Sequence, residues 1–134
     1  MREVTLNEIG IQNKPIIFRT NLKNKIVHCN KNFTRLLGTE NKEEIINNYS
    51  LENLIMNLVP EKIWLNLIDT LSEGKHYHDF VRIKRINGEE YVWIELIGDI
   101  HKENEIKSGY AFICKDVPPA DKEKYEEEYG NIKG

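Results

Sequence analysis

The chain has no run approaching about 18 apolar residues, so nothing in it reads as a transmembrane helix. Its opening, MREVTLNEIG, lacks the apolar core of a signal peptide. It holds only two cysteines, Cys29 and Cys114, far apart and without the spacing of a zinc site. These absences together lead us to expect a cytoplasmic protein with two reduced thiols. There is no excess of positive charge either. Nineteen Lys and Arg against 22 Asp and Glu leave a formal net charge of −3, so neither nucleic acid nor a membrane surface is an expected partner. Internal repeats and low-complexity tracts are missing too. What is present is 134 residues of ordinary composition, 40% apolar and 31% charged, enough for one hydrophobic core.

Composition shifts at two places. Residues 1–14 are polar with sparse apolar positions (Val4, Leu6, Ile9, Ile11) and read as a flanking helix or arm. Residues 118–134, PPADKEKYEEEYGNIKG, are almost wholly polar. The compact unit is 15–117. Within it Pro15–Thr20 reads as a strand, with Pro at its first position, where no ladder donor is lost. An Asn-rich turn and a second strand, Ile26–Cys29, follow. Asn30 is placed to cap a helix carrying Phe33, Leu36 and Leu37, which Gly38 stops. Asn41 has capping-box spacing for a short helix through Ile46, and Ser50 heads another with Leu51, Leu54, Ile55 and Leu58 at helical spacing. After Pro60 the longest helix carries the stripe Ile63, Trp64, Leu67, Ile68 and Leu71, ending at Gly74. Strands Tyr77–Ile86 and Glu89–Ile97 are joined by Asn87-Gly88, the signature of a type I′ hairpin turn. A polar loop, Gly98–Lys107, then leads to a last strand, Gly109–Lys115. The predicted fold is α+β: a five-stranded antiparallel sheet with helices packed on one face.

Four stretches carry a family resemblance: FRTNLKNKIVHCNKNFTRLLG, NKEEIINN, LSEGKHYHDFVRIKRINGEEYVWIEL and IKSGYAFICKDV. In this order and spacing they resemble a PAS domain over roughly residues 15–117. Asn21 and Asn24 stand where the family has Asp and Gly, and both tolerate the turn. At the end Asp116-Val117 runs into Pro118 and Pro119, where the family launches a helix toward an output domain. Two prolines disfavour a helix straight out of the strand. One starting at Pro119 or Ala120 would pair Tyr125 with Tyr129 and end near Gly130.

The resemblance implies a non-enzymatic sensory or regulatory domain of a bacterial signalling protein: a sensor histidine kinase, chemoreceptor, cyclic-dinucleotide enzyme or transcription regulator. A ligand-free protein-interaction domain is the alternative. It also implies an interior pocket between sheet and helices, with Phe33, Leu37, Trp64, Leu67, Ile68, Trp93 and Phe112 as its lining and Asp116 and Val117 as the exit of the signal. An output domain, in the same chain or in a partner, would follow, because the tail is too short to be one.

The cofactor is left open by the residues. A haem branch needs an imidazole from the helical segment, and residues 31–73 contain no His. A photosensory flavin branch needs a helical Cys, and both cysteines fall on strands. A redox flavin would look to Trp64 and Tyr77, although Trp64 is as well explained by core packing. A carboxylate-bearing metabolite would need a buried cation, for which alternation offers Arg82 with Lys84 and Phe80 on one face and Arg85 on the other. The competing reading is a cross-strand pair with Glu95. His76 and His78 share a face but have no third metal ligand in view. His28 and Cys29, adjacent on a strand, point to opposite faces and cannot chelate together. No catalytic triad assembles from local words. Tyr91, Trp93, Tyr110 and Phe112 exceed what one sheet face needs, so a homodimer through the sheet or the N-terminal segment is expected.

Overall fold

The computed structural model describes residues 1–130. Of the polar C-terminal segment 118–134, residues 131–134 therefore lie outside the described residues. The elements are β1 (Arg2–Glu3), α1 (Leu6–Ile9), β2 (Ile16–Asn21), β3 (Ile26–Cys29), α2 (Lys31–Leu37), α3 (Leu51–Ile55), α4 (Glu61–Ser72), β4 (Tyr77–Lys84), β5 (Glu90–Glu103), β6 (Ile106–Lys115) and α5 (Pro119–Tyr129), with 3-10 turns at Lys42–Glu44 and Met56–Leu58. The sheet runs β1-β5-β6-β2-β3, and β4 lies on the other side of β5. All pairings are antiparallel except β1, which adds a short sixth strand parallel to β5 with Arg2 opposite Glu90.

Local chemistry explains the joints. Asn30 has extended backbone and its Oδ1 accepts the Phe33 amide at 3.0 Å, the helix cap that satisfies an otherwise orphan donor. The same side chain accepts the Ile17 amide at 3.3 Å and donates to the Pro15 carbonyl at 2.8 Å. One residue thus ties the start of β2 to the start of α2. Gly38 ends α2 at φ 90°, a conformation that glycine adopts without a Cβ penalty. Ser50 and Asn53 form a reciprocal capping box at α3.

Three sequence expectations are corrected. The Asn87-Gly88 turn is not type I′, since only Gly88 has positive φ there. Gly88 N–H donates to the Arg85 carbonyl and Arg85 N–H to the Glu90 carbonyl, which makes a four-residue loop around a type I turn. The Asn87 Oδ1 accepts the Glu89 and Glu90 amides and so holds the turn in this form. The polar stretch 98–107 is not a loop: β5 runs on to Glu103, and Asn104 and Glu105, both with positive φ, make the two-residue turn into β6. Polar residues hid a strand here because the outer face of an antiparallel sheet can be wet. The predicted helix at Asn41 is only a 3-10 turn.

Register sorts the faces. Gly98 lies opposite Phe112 and Phe112 opposite Phe18, all on the face covered by α2, α3 and α4. Arg82 lies opposite Trp93 on the other face, which α5 covers in part. Val4, Leu6 and Ile11 of the N-terminal segment are buried with the core. β2 and β6 approach so closely that a Cβ on Gly109 would sit 1.8 Å from the Thr20 carbonyl oxygen. Gly109→Ala is expected to cost about 3 kcal/mol, the upper end of overpacking penalties. A denaturation midpoint equal to wild type would contradict this close approach.

Candidate functional site

The interior between sheet and helices gathers part of the predicted lining. Phe33, Leu37, Leu67 and Phe112 are at most 1% exposed and belong to one apolar cluster. Trp64 and Ile68 are only half-buried at the edge of α4. Trp93 is not in this interior. It is opposite Arg82 on β4 and faces α5, because β5 alternates and its neighbours Val92 and Ile94 take the inward positions. The residue that sequence reasoning missed is Phe18, whose ring stacks on Phe33 at 4.4 Å and on Phe112 at 4.7 Å. Its signal was the inward alternation of Ile16, Phe18 and Thr20 along β2. Beyond Phe112 the column presses on Gly98, where a Cβ would come within 2.6 Å of the Phe112 ring. Two interior hydroxyls, Tyr77 Oη and Thr20 Oγ1, are buried without a hydrogen-bond partner among the described residues. Burial pushes the Tyr77 phenol and the Cys114 thiol far up, so both stay protonated.

The predicted exit leads to a second assembly on the outer face. Asp116 and Val117 are half-buried, and burial raises the Asp116 carboxyl against the opposing hydrogen bond from Gln12. Pro118 and Pro119 turn the chain, and α5 folds back across β4 and β5. Tyr125 meets Phe80 edge-on at 4.9 Å, Tyr129 lies 5.2 Å from Trp93, and the two tyrosines pack at 5.5 Å. Tyr129 Oη donates to the Phe80 carbonyl at 2.5 Å. Lys122 pairs with Glu3, joining α5 to the N-terminal segment.

Arg82 lies beneath this helix and is 5% exposed. Its Nε donates to the Leu58 carbonyl at 2.6 Å and its Nη1 to the Gly130 carbonyl at 2.8 Å. The guanidinium carbon lies 5.3 Å from the Trp93 ring centroid and 5.5 Å from that of Tyr129. Both sequence readings of Arg82, a carboxylate anchor in the interior pocket and a cross-strand partner of Glu95, are replaced by this one, since Glu95 pairs with His78 at 2.9 Å. Arg85 is also structural: it donates to the Leu36 and Arg35 carbonyls at the end of α2 and pairs with Glu90 at 2.9 Å.

The remaining histidines are dispersed. His76 meets Asp99 at 2.8 Å, and the His101 ring accepts from Arg19 at 2.5 Å. No cluster of three ligating side chains forms among the described residues. Of the four aromatics that exceed the need of one sheet face, Tyr91 and Trp93 face outward and Tyr110 and Phe112 inward, as the β4–β5 and β5–β6 registers require. The outer face keeps instead an uncovered strip with Ile17 and Ile113, 41% and 44% exposed. Together with Ile97 and Ala111 they floor a shallow groove of about 410 Å³ ending at Arg19, His28 and His101. No helix of the described residues is long and apolar enough to cross a membrane.

A curled sheet with three helices on one face and a terminal helix on the other defines a PAS-type α+β domain. The comparisons agree. The family profile described as PAS domain matches residues 13–118. Among solved structures, the PAS domain of a protein from Colwellia psychrerythraea superposes with TM-score 0.62 and 23% identity, covering 77% of this chain and 86% of that one. The PAS domain of an HTR-like protein from Haloarcula marismortui gives 0.61 and 15%, covering 84% and 88%. The LOV domain of a blue-light activated histidine kinase from Erythrobacter litoralis gives 0.61 and 12%, covering 75% and 92%. A search of curated proteins finds no match. The chain belongs to the PAS domain family.

Asp79 offers a test of the packing beside α5. Its Oδ1 accepts the Phe80 amide at 2.8 Å. Burial raises its carboxyl above the ordinary range and Glu128 adds to this, against the Phe80 amide and His78. Because the folded pKa is the higher one, the folded state binds more protons across that window, and stability rises as pH falls through it. Asp79→Asn, which keeps the Oδ1 acceptor, is expected to raise the unfolding midpoint at about pH 7. The gain should fade below about pH 4, where the wild-type carboxyl protonates in both states. A variant no more stable than wild type at neutral pH would contradict the burial of this carboxylate.

Proposed function

We propose that this PAS domain is the sensory or regulatory module of a bacterial signal-transduction protein, and that its output is the docking of α5. The observation that carries the reading is the pair of hydrogen bonds that Arg82 donates to two main-chain carbonyls. Leu58 belongs to the helical layer just before α4, and Gly130 ends α5. A change in how the helices pack on the sheet moves the Leu58 carbonyl, and Arg82 transmits that shift to α5. Any input that prefers one packing would then change the population of docked helix. The input is a small molecule or a partner protein, and the output domain is a kinase, chemoreceptor, cyclic-dinucleotide enzyme or transcription regulator in the same or a partner chain.

The Phe33–Phe18–Phe112 column favours a second reading, a filled-core interaction domain, because these rings occupy the middle of the interior. A flavin or haem would have to displace them. The domain itself would carry out no chemistry, and it would act in the cytoplasm.

Arg82→Gln is expected to speed amide exchange through α5 while β5 and β6 keep their protection, with a loss of about 1–3 kcal/mol from the two abandoned carbonyls. Unchanged protection in α5 would sink the coupling. The module is further proposed to dimerise through the uncovered strip around Ile17, Ile97 and Ile113, whose apolar exposure suits an isologous contact. Sedimentation should give a dimer for the wild type and a monomer for Ile113→Glu; a wild-type monomer at high concentration refutes it.

A further inference from the structure

The bare strip on the outer face carries charges in a pattern that is complementary to itself. On β6, Ile113 lies between Ile97 of β5 and Ile17 of β2, and in the next row Ala111 lies between Asp99 and Arg19. Gly98, Phe112 and Phe18 belong to the helical side of the sheet, so alternation turns these six residues outward. All six line the shallow groove. An apolar row thus runs beside a row with one carboxylate and one guanidinium, placed one strand to either side of β6.

Neither charge is used up within the chain. Asp99 Oδ1 meets His76 at 2.8 Å, and its Oδ2 has no hydrogen-bond partner among the described residues. Arg19 Nη1 donates to the His101 ring at 2.5 Å and lies 3.8 Å from Glu103. Its Nε and Nη2 have no hydrogen-bond partner among the described residues, so His101 positions the guanidinium and leaves most of its fork free. The Asp99 side chain is 58% exposed and that of Arg19 34%, so both are open to a partner.

Aligned packing of this face on a second copy allows two directions for the two-fold axis. An axis across the strands sets β5 on β5 and β2 on β2. Asp99 and Arg19 then stay about two strand spacings, roughly 10 Å, apart. An axis along β6 sets β5 on β2. Asp99 of each copy then faces Arg19 of the other, Ile97 faces Ile17, and Ile113 and Ala111 lie on the axis. Each charge is about 4.8 Å from that axis, where the splay of about 30° between aligned sheets shifts it by less than the reach of an arginine.

We propose that the chain pairs with a second copy about a two-fold axis along β6, with Asp99 of each copy bound to Arg19 of the other. This orientation presupposes the dimer through the sheet face and fixes how the copies lie. Their strands run parallel, and the two α5 helices lie toward the same end of the dimer. The two charge pairs favour this register over a slipped or crossed one.

Charge reversal with mixing tests it. Asp99→Arg alone opposes two pairs of guanidinium groups, and Arg19→Asp alone opposes two pairs of carboxylates. Each should self-associate at least about tenfold more weakly than wild type in sedimentation. An equimolar mixture of the two restores both opposite-charge contacts in the heterodimer and should return to within about threefold of wild-type affinity. Circular dichroism checks that each variant folds. Asp99→Asn and Arg19→Gln are the milder second set: each should weaken the dimer, and the double variant should be no weaker than the worse single one, because both remove the same contacts. A wild-type monomer removes the dimer and the orientation with it. A wild-type dimer whose reversed variants associate normally, whose mixture gains nothing over the separate variants, or whose neutral variants multiply their losses overturns the orientation and leaves the dimer standing.

Discussion

The guanidinium of Arg82 is the contact on which the outer layer depends. A buried cation normally needs an anion, and none lies within ion-pair distance among the described residues. Two main-chain carbonyls and two aromatic faces carry its charge instead. Charge-assisted hydrogen bonds are worth about 1.5–3 kcal/mol each and cation–π contacts about 0.5–2, so this set offsets a large desolvation cost only while all four members are in place. Burial pulls the Arg82 pKa down, and the neighbouring tyrosines and Glu126 oppose that pull. α5 has little apolar surface of its own beyond Tyr125 and Tyr129. Its place on the sheet therefore rests on those two rings, the Lys122–Glu3 pair and this cation.

The inner layer is built on a different principle. Phe33, Phe18 and Phe112 stack through the middle of the domain, and Gly98 has no side chain because Phe112 fills that space. The Asn30 side chain then fixes where β2 and α2 begin. A tightly packed interior passes small displacements on rather than absorbing them, which is how a shift among the helices would reach Leu58 and the outer face.

Much of this was legible in the sequence. Asn30, Gly38 and Ser50 announce helix ends through side-chain chemistry that acts over three or four residues, and the stripe on α4 and the alternation on β4 are equally local. The pairing of a sixth strand, the length of β5 and the exchange of turn types were not. His101-Lys102-Glu103 reads as loop because its outer face is solvated, and Asn104-Glu105 carries no glycine to mark the turn. Alternation also separates two faces without saying which is inside. That is why Trp93 was expected beside Phe112, although the register puts Gly98 there. The Arg82–Gly130 contact spans 48 positions of chain, and no local pattern encodes it.

The docked helix is the central claim, and a nuclear Overhauser spectrum of the unaltered protein tests it most directly. The account requires cross-peaks between the Tyr129 ring and the Trp93 indole, whose centroids lie 5.2 Å apart, and slowed amide exchange along α5. Absence of those cross-peaks, with α5 amides exchanging as freely as an unfolded segment, would contradict it.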